Sequence, residues 1–252
     1  MASLKRKVAL VTGSAQGIGA ALALALAAEG AKVVVSDLQP ASDTARQIEE
    51  QGGEAVAVAA DVTDNKSLKE LVATAERAFG PVNVLINNAG VFGTLELKPL
   101  TQITEDEWDL VFRVNARGVF QATKAVLSSM KRAGGGSIVN ISSGTILRGA
   151  PMLLHYVSSK GAVFAMTRSM ATELAADSIR VNSILAGFTA SKSVLNHPTM
   201  MDKIRPHTLS ARMIKRDMTP DDLCGTAVFL ASDASAFITG QAINVDGGAM
   251  TY

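Results

Sequence analysis

Short apolar runs alternate with longer helical patterns along the whole chain, and this alternation constrains the fold more than any other feature. Runs rich in Val and Ile predict strands at 8–11, 32–36, 55–59, 82–86, 137–141, 180–184 and 242–245. Helical patterns predict helices near 17–29, 41–51, 65–79, 104–131, 153–176 and 220–231. Strands that are apolar on both faces need helices on both sides of the sheet. Strand–helix alternation also implies right-handed crossovers between parallel strands. The sequence therefore predicts one α/β domain over 1–252, with a doubly wound parallel sheet flanked by helices.

Composition and charge exclude several classes of protein. The chain has 252 residues, 48% of them hydrophobic, and a net charge of +1 without a basic stripe, so we expect a globular protein that does not bind nucleic acid. The single cysteine, Cys224, cannot form an internal disulfide, and the three histidines lack the partners of a zinc site. The longest apolar stretch, 18–28, is about half a membrane span. We therefore expect a cytoplasmic protein with no metal site and no membrane partner.

A glycine-rich turn follows the first predicted strand and opens the first predicted helix. Glycines let the backbone approach a pyrophosphate, and the free N–H groups of a helix N-terminus favour its charge. Although an ordinary glycine turn is the alternative, the strand–turn–helix context favours a dinucleotide site. The turn residues predicted to hold the cofactor are Gly13, Gln16, Gly17, Ile18 and Gly19.

An acidic residue at the end of the second predicted strand indicates which dinucleotide is bound. Asp37 follows Gly19 by 18 residues, near the position where a carboxylate binds the adenosine ribose in dinucleotide folds. That carboxylate would repel a 2′-phosphate, and neither Leu38 nor the glycine-rich turn carries a positive charge. We therefore predict NAD as the cofactor, with a simple turn role for Asp37 as the alternative.

Tyr156 and Lys160 form the candidate catalytic pair because residues four apart share one face of a helix. An ammonium about 4 Å away at an effective dielectric of ~20 favours the phenolate by roughly 4 kcal/mol before burial opposes it. We expect this charge to bring the pKa of Tyr156 near 7, so that the phenolate can accept a proton from an alcohol. Ser143 is placed to hold the substrate oxygen, and Asn115 is expected to interrupt its helix and anchor a water. A solvated surface pair is the alternative for Tyr156 and Lys160.

These motifs together resemble the short-chain dehydrogenase/reductase family over nearly the full chain. The matching residues are Thr12, Gly13, Gly17, Gly19, Asp61, Val62, Asn87, Asn88, Ala89, Gly90, Asn115, Ser142, Ser143, Tyr156 and Lys160. The resemblance implies a Rossmann-type sheet with strand order 3-2-1-4-5-6-7. It implies a catalytic tetrad of Asn115, Ser143, Tyr156 and Lys160, with Lys160 also holding the nicotinamide ribose.

The resemblance also implies further cofactor contacts and an assembly. Asp61 and Val62 would flank the adenine, and Asn88, Ala89 and Gly90 would pass beneath the cofactor. The family commonly has a proline before Gly187, where this chain has an alanine, so contacts from Gly187, Thr189 and Ser191 are expected with less support. A homotetramer is implied, with the predicted helices 104–131 and 153–176 packing across subunits through small or apolar side chains: Ala116, Val119, Ala162 and Met166.

The segment 187–219 departs from the alternation and is predicted to be a substrate lid. Its apolar side chains predict an apolar pocket together with three leucines near the candidate tetrad: Leu195, Met200, Met201, Ile204, Leu209, Met213, Ile214 and Met218, with Leu147, Leu153 and Leu154. The lid cations could be solvated, contact the cofactor phosphates or bind a substrate anion: Lys192, Lys203, Arg205, Arg212, Lys215 and Arg216. Packing roles are expected for Trp108, His155 and Cys224.

We therefore predict an NAD(H)-dependent oxidoreductase that interconverts a secondary alcohol and a ketone, with an apolar aryl or alicyclic substrate. Within the family, His155-Tyr156 and the ending Asp246-Gly247-Gly248 resemble NAD-dependent secondary-alcohol dehydrogenases such as 1-phenylethanol dehydrogenases. Two alternatives stay open: an NADPH-dependent 3-oxoacyl reductase of the same fold, and a nucleotide sensor without enzymatic activity. Asp37 counts against the first and the complete tetrad counts against the second.

Overall fold

Seven parallel strands form one sheet in the computed structural model, which describes residues 3–251. The strands are β1 Val8–Thr12, β2 Lys32–Asp37, β3 Glu54–Ala59, β4 Val84–Asn87, β5 Gly136–Ser143, β6 Ile179–Ala186 and β7 Ala242–Val245. Their order is β3-β2-β1-β4-β5-β6-β7. The predicted Rossmann-type order is confirmed.

Eleven α-helices accompany the sheet within residues 3–251. They are α1 Gly17–Ala28, α2 Ser42–Glu50, α3 Asn65–Phe79, α4 Glu105–Phe112, α5 Gly118–Arg132, α6 Thr145–Arg148, α7 Leu154–Leu174, α8 Lys192–Leu195, α9 Pro198–Lys203, α10 Arg205–Ala211 and α11 Cys224–Ala231. Short 3-10 turns span Leu100–Gln102, Ala175–Asp177, Pro220–Leu223 and Asp233–Ser235. None of the helices described is long and apolar enough to cross a membrane.

The two faces of the sheet are covered by different helices, as the apolar strands predicted. Successive strand residues point to opposite faces, so Val11 packs with side chains from α1 and α11 while Leu10 packs with side chains from α3 and α5. Both are fully buried. Burying a Val or Leu side chain stabilises a fold by about 1.5–3 kcal/mol, so both faces of β1 contribute to the stability of the core.

Several predicted boundaries were wrong for local reasons. The predicted helix 104–131 is α4 and α5 joined by a π-helical turn at Arg113–Arg117. The predicted helix 220–231 begins as a 3-10 turn at Pro220, which cannot donate a backbone hydrogen bond. The fourth strand begins at Val84, two residues after the predicted start, although Asn83 N already donates to Val8 O of β1 at 3.1 Å. The helix α6 after β5 was not predicted.

The segment 187–219 contains the short helices α8, α9 and α10 and is anchored by a buried arginine. Arg212 is 2% exposed, and its guanidinium donates to the carbonyl oxygens of Asp246 at 3.1 Å, Arg216 at 2.9 Å and Phe188. The possibility that Arg212 is solvated, or contacts cofactor phosphates, is therefore excluded in this structure. Its side chain instead ties the end of α10 to Phe188 after β6 and to Asp246 after β7.

Other expected packing roles agree with the structure, with one correction for the assembly surface. Trp108 stacks on Phe112 at 4.9 Å between ring centroids. His155 is buried, which lowers its pKa, and burial raises the pKa of Cys224 to about 11. The expectation that Ala116 and Val119 contact another subunit was wrong, because both are buried within this chain. Ala162 and Met166 are partly exposed.

Candidate active site

A cavity of about 920 Å³ opens at the carboxyl ends of the parallel strands. It lies where the connection from β3 crosses to β4, which is the point at which doubly wound sheets bind ligands. All but one of the predicted site residues line this single cavity: Gly13, Gln16, Gly17, Ile18, Gly19, Asp37, Leu38, Asp61, Val62, Asn88, Ala89, Gly90, Ser143, Tyr156, Lys160, Gly187, Thr189 and Ser191. Asn115 does not line it.

The glycine-rich turn is held in a shape that only glycine permits at two positions. Gly13 has φ of +66°, and a Cβ there would lie 2.6 Å from the Cα of Ala89. A Cβ on Gly19 would lie 2.1 Å from the oxygen of Gly13. The turn leads into α1, whose first turn has no side-chain cap and no acidic residue. The first N–H groups of α1 therefore have no side-chain acceptor, which is the condition for an anion site at a helix N-terminus.

The segment after β4 is hydrogen-bonded to the glycine-rich turn. The Asn88 side chain donates to the carbonyl oxygens of Thr12 at 3.0 Å and Gly13 at 2.8 Å. In return, the Thr12 hydroxyl accepts from the backbone N–H groups of Asn88 and Ala89, both at 3.1 Å. These bonds fix the floor of the cavity, so Asn88 acts here through the backbone it holds.

Asp37 ends β2 with its carboxylate fixed by the backbone. Its Oδ2 accepts from Ala15 N at 3.0 Å and its Oδ1 accepts from Gln39 N at 3.1 Å. Each oxygen keeps a second lone pair for a hydroxyl donor. Leu38 beside it is 67% exposed, so an apolar side chain stands where a cation would be needed for a 2′-phosphate.

The residues after β3 form the other wall of this end of the cavity. Asp61 Oδ1 accepts from Thr63 N at 2.7 Å, which closes a tight turn. Val62 packs against Gly118 so closely that a Cβ on that glycine would lie 2.8 Å from Val62 Cγ2. The packing fixes Val62 as an apolar surface facing the cavity.

Ser143, Tyr156 and Lys160 come together deep in the cavity. Ser143 ends β5, whereas Tyr156 and Lys160 share one face of α7. The Ser143 hydroxyl accepts from Thr145 Oγ1 at 2.9 Å and faces the Tyr156 hydroxyl, whose phenolate form it would stabilise by a hydrogen bond. The Tyr156 ring packs against Phe92 with 4.6 Å between centroids. Lys160 Nζ donates to Ile141 O at 2.8 Å. The arrangement presents two hydroxyls and one ammonium to a bound molecule.

The expected pKa of Tyr156 near 7 was wrong for the protein without a cofactor. Burial raises the pKa of Tyr156 to about 12, and the hydrogen bond from Ser143 lowers it only in part. Burial also lowers the pKa of Lys160 to about 8. The Lys160 ammonium lies 5.9 Å from the Tyr156 ring centroid and is bonded to Ile141 O. Desolvation of both groups therefore outweighs their mutual attraction.

Asn115 lies behind the cavity within the π-helical turn, so the predicted interruption of the helix is present. Its Oδ1 accepts from Val91 N at 2.7 Å, and its Nδ2 donates to Val91 O at 3.2 Å and Ser159 Oγ at 3.1 Å. Ser159 Oγ in turn donates to Tyr156 O at 2.7 Å. The Asn115 side chain therefore connects the segment after β4 to the first turn of α7.

The segment after β6 lines the cavity with Gly187, Thr189 and Ser191, the residues named from the sequence. Gly187 N donates to Val245 O at 2.9 Å, and a Cβ on Gly187 would lie 2.8 Å from the Asp246 Cβ. Thr189 donates to Gly187 O at 3.0 Å. Ser191 lies against the glycine-rich turn, since a Cβ added to Gly17 would be 3.5 Å from the Cβ of Ser191.

The side chains that line the cavity around Tyr156, where a substrate would be expected, were predicted only in part. Among the lid and nearby side chains expected to line an apolar pocket, only Ile204 and Leu153 do so. Met200 and Met218 are buried elsewhere, while Leu147, Leu154, Leu195, Met213 and Ile214 are exposed. Side chains that sequence reasoning missed line the pocket instead: Val91, Phe92, Val114, Thr145, Arg148, Ala150, Val194, His207 and Met250. Lys203, one of the lid cations named from the sequence, lines it as well. The apolar residues right after β4 were the one signal that could have identified Val91 and Phe92.

Comparison with known proteins gives matches over nearly the whole chain. A family model described as enoyl-(acyl carrier protein) reductase matches residues 13–250. The 3-oxoacyl-acyl-carrier-protein reductase FabG of Thermotoga maritima is 37% identical over 97% of this chain and 98% of its own. Galactitol 2-dehydrogenase of Agrobacterium fabrum is 39% identical over 97% and 98%. A structure described as a short-chain alcohol dehydrogenase of Sinorhizobium meliloti has a TM-score of 0.92 at 36% identity, over 98% of each chain.

Proposed function

The chain belongs to the short-chain dehydrogenase/reductase family of oxidoreductases, and from that premise we propose that it interconverts a secondary alcohol and a ketone with NAD(H). The family uses a nicotinamide cofactor, and the glycine-rich turn, whose close contacts leave no room for a Cβ, fits the pyrophosphate of such a cofactor. The observation that carries the proposal is that Ser143, Tyr156 and Lys160, from β5 and one face of α7, line that same cavity. We also propose that the protein is cytoplasmic, because a single cysteine, which cannot form an internal disulfide, is consistent with a reducing compartment.

Each residue of the catalytic group has a distinct proposed role. A bound nicotinamide dinucleotide supplies or accepts the hydride. Tyr156 transfers the proton: its hydroxyl donates to the oxygen of a ketone during reduction, and its phenolate accepts the proton of an alcohol during oxidation. Ser143 holds the same oxygen as charge develops on it. Lys160 holds the ribose next to the nicotinamide and favours the phenolate, and Asn115 positions α7.

The preference for NAD is supported by the charges around the adenosine end of the cavity. The acidic side chains there are Asp37 and Asp61. Across residues 3–251, the lysines and arginines that line the cavity are Arg148, Lys160 and Lys203, and none of these lies in the glycine-rich turn or after β2. A 2′-phosphate would therefore meet the Asp37 carboxylate without a compensating cation.

The test of the catalytic assignment is Tyr156→Phe, which removes the hydroxyl and keeps the ring against Phe92. We expect turnover of a secondary alcohol with NAD to fall at least about 100-fold, the lower end of general acid–base effects. NADH affinity, measured by fluorescence titration, should change little. Near-normal turnover would contradict the role of Tyr156.

A 3-oxoacyl reductase that uses NADPH is the second candidate, because the Thermotoga maritima relative is named a 3-oxoacyl-acyl-carrier-protein reductase and the matching family model is described as an enoyl-(acyl carrier protein) reductase. The exposed position of Leu38 and the fixed carboxylate of Asp37 disfavour it. Steady-state kcat/KM for NADH and NADPH with one ketone decides between the two. A preference for NADPH would favour the second candidate.

A further inference from the structure

Within residues 3–251, four of the six lid cations have side-chain partners, and the other two do not. Arg205 is ion-paired with Asp217, Arg216 is ion-paired with Asp222, and Lys215 donates to Ser210 O. Arg212 is bound by backbone carbonyl oxygens. Over the part of the chain that is described, the side chains of Lys192 and Lys203 have no hydrogen bond or ion pair. Only Lys203 of these two lines the cavity.

A second cation without a side-chain partner in residues 3–251, Arg148, lines the same cavity from a different part of the chain. Arg148 ends the short helix α6 that follows Ser143, is exposed, and has no ion pair or hydrogen bond within residues 3–251. His207, one helical turn beyond Lys203, also lines the cavity. The acidic side chain at this end is Asp246, whose carboxylate accepts from Gly248 N, Ala249 N and Asn244. The accessible charge here is therefore positive.

Both cations belong to the substrate end of the cavity. Ile204, next to Lys203, and Ala150, two residues after Arg148, pack against the apolar cluster that contains Tyr156 and Leu153. The chain next to each cation therefore packs around Tyr156, which puts both cations on the Tyr156 side of the cavity, away from the glycine-rich turn. A molecule that fills this space has an alcohol or ketone at one end, an apolar body, and a group near Lys203 and Arg148 at the other.

We propose that Lys203 and Arg148 bind a carboxylate at the far end of the substrate. The inference rests on the proposed function, because the alcohol oxygen must be held by Ser143 and Tyr156. A carboxylate accepts up to four hydrogen bonds and matches the planar guanidinium of Arg148 and the ammonium of Lys203. The substrate class is therefore a secondary hydroxy acid, or the corresponding oxo acid, with an apolar spacer between its two polar ends.

The experiment compares each carboxylate with the neutral amide of the same shape. The first pair is 4-(1-hydroxyethyl)benzoate and 4-(1-hydroxyethyl)benzamide; the second, flexible pair is 7-hydroxyoctanoate and its amide. At low ionic strength we expect kcat/KM to favour the carboxylate about tenfold in at least one pair, as two exposed ion pairs would give. The preference should fall with added salt because exposed charges are screened.

The variants are Lys203→Met and Arg148→Met, singly and together, with Lys192→Met as the matched control on the same lid. The double variant should bring the carboxylate-to-amide ratio of kcat/KM close to one, while Lys192→Met should keep it. Equal turnover of acid and amide by the unmodified protein in both pairs would overturn the inference and leave the proposed function intact. So would a ratio that the double variant does not change. A loss of NADH affinity in Lys203→Met would assign that lysine to the cofactor and also overturn the inference. Absence of turnover of all four alcohols with NAD would contradict the proposed function itself.

Discussion

Replacing Lys160 by Met should stabilise the cofactor-free protein while abolishing most of its activity. Lys160 is buried, and within residues 3–251 its ammonium has one hydrogen-bond partner, at 2.8 Å, and no carboxylate pairs with it. The fall in its pKa from an ordinary 10.5 to about 8 corresponds to roughly 3 kcal/mol, at 1.36 kcal/mol for each tenfold change in proton affinity. Losing the bond to Ile141 O costs about 1 kcal/mol. Near pH 7, a net gain of about 2 kcal/mol is therefore expected.

The sign of this effect fixes its pH dependence. Between about pH 8 and 10.5 the unfolded chain keeps a proton on Lys160 that the folded chain has released, so the stability of the unmodified protein rises with pH in this window. The Met variant lacks this gain, and its advantage should disappear near pH 10.5. Urea unfolding of both proteins at equal concentration measures the difference, with Lys69→Met on the exposed face of α3 as control. A Met variant that is no more stable near pH 7, or an advantage unchanged at high pH, would refute the reasoning.

Three further predictions concern the cofactor, the substrate and the assembly. Asp37→Ser combined with Leu38→Arg removes a repulsive carboxylate and adds a cation, so NADP should gain over NAD in kcat/KM; an unchanged preference, with Asp43→Ser as the exposed control, would contradict the ribose assignment. Because each buried methylene contributes about 0.8 kcal/mol, kcat/KM for 1-phenylethanol or cyclohexanol should exceed that for 2-propanol by at least about tenfold (1.4 kcal/mol); equal values would argue against the apolar wall formed by Phe92, Leu153 and Ile204. We also propose a homotetramer, since Leu110 and Phe120 on α4 and α5 are 40% and 48% exposed; light scattering should give four subunits at micromolar concentration, and a monomer would exclude this assembly.

The sheet was predictable from the sequence because its strands obey one simple rule. A strand covered by helices on both faces is apolar at most positions, and the runs around Leu10, Val34 and Leu85 follow this rule. The glycine-rich turn was predictable for a related reason, since the contacts at Gly13 and Gly19 leave no room for a Cβ. At such positions the local structure permits few residue types, so the residue type predicts the structure.

The lid was less predictable because its short helices carry no clear hydrophobic period. Met200 and Met218 look like pocket residues in sequence but are buried in other contacts, while Met213 is 69% exposed. Only the tertiary structure shows that Arg212 is bound by carbonyl oxygens and that Lys203 faces the cavity. Such partners are distant along the chain, so no local pattern encodes them.

The pKa values of the catalytic pair could not be predicted from spacing because they depend on burial from every side. Spacing correctly placed Tyr156 and Lys160 on one face of α7, but the surrounding apolar cluster favours the neutral form of both groups. Side chains that never face the cavity, Asn115 and Ser159, hold the first turn of α7 in this unfavourable environment through bonds of 3.1 Å and 2.7 Å. The fold therefore keeps a protonated phenol and a weakly held ammonium proton ready beside the substrate site. Positive charge from a bound oxidised cofactor is then what would favour the phenolate that alcohol oxidation needs.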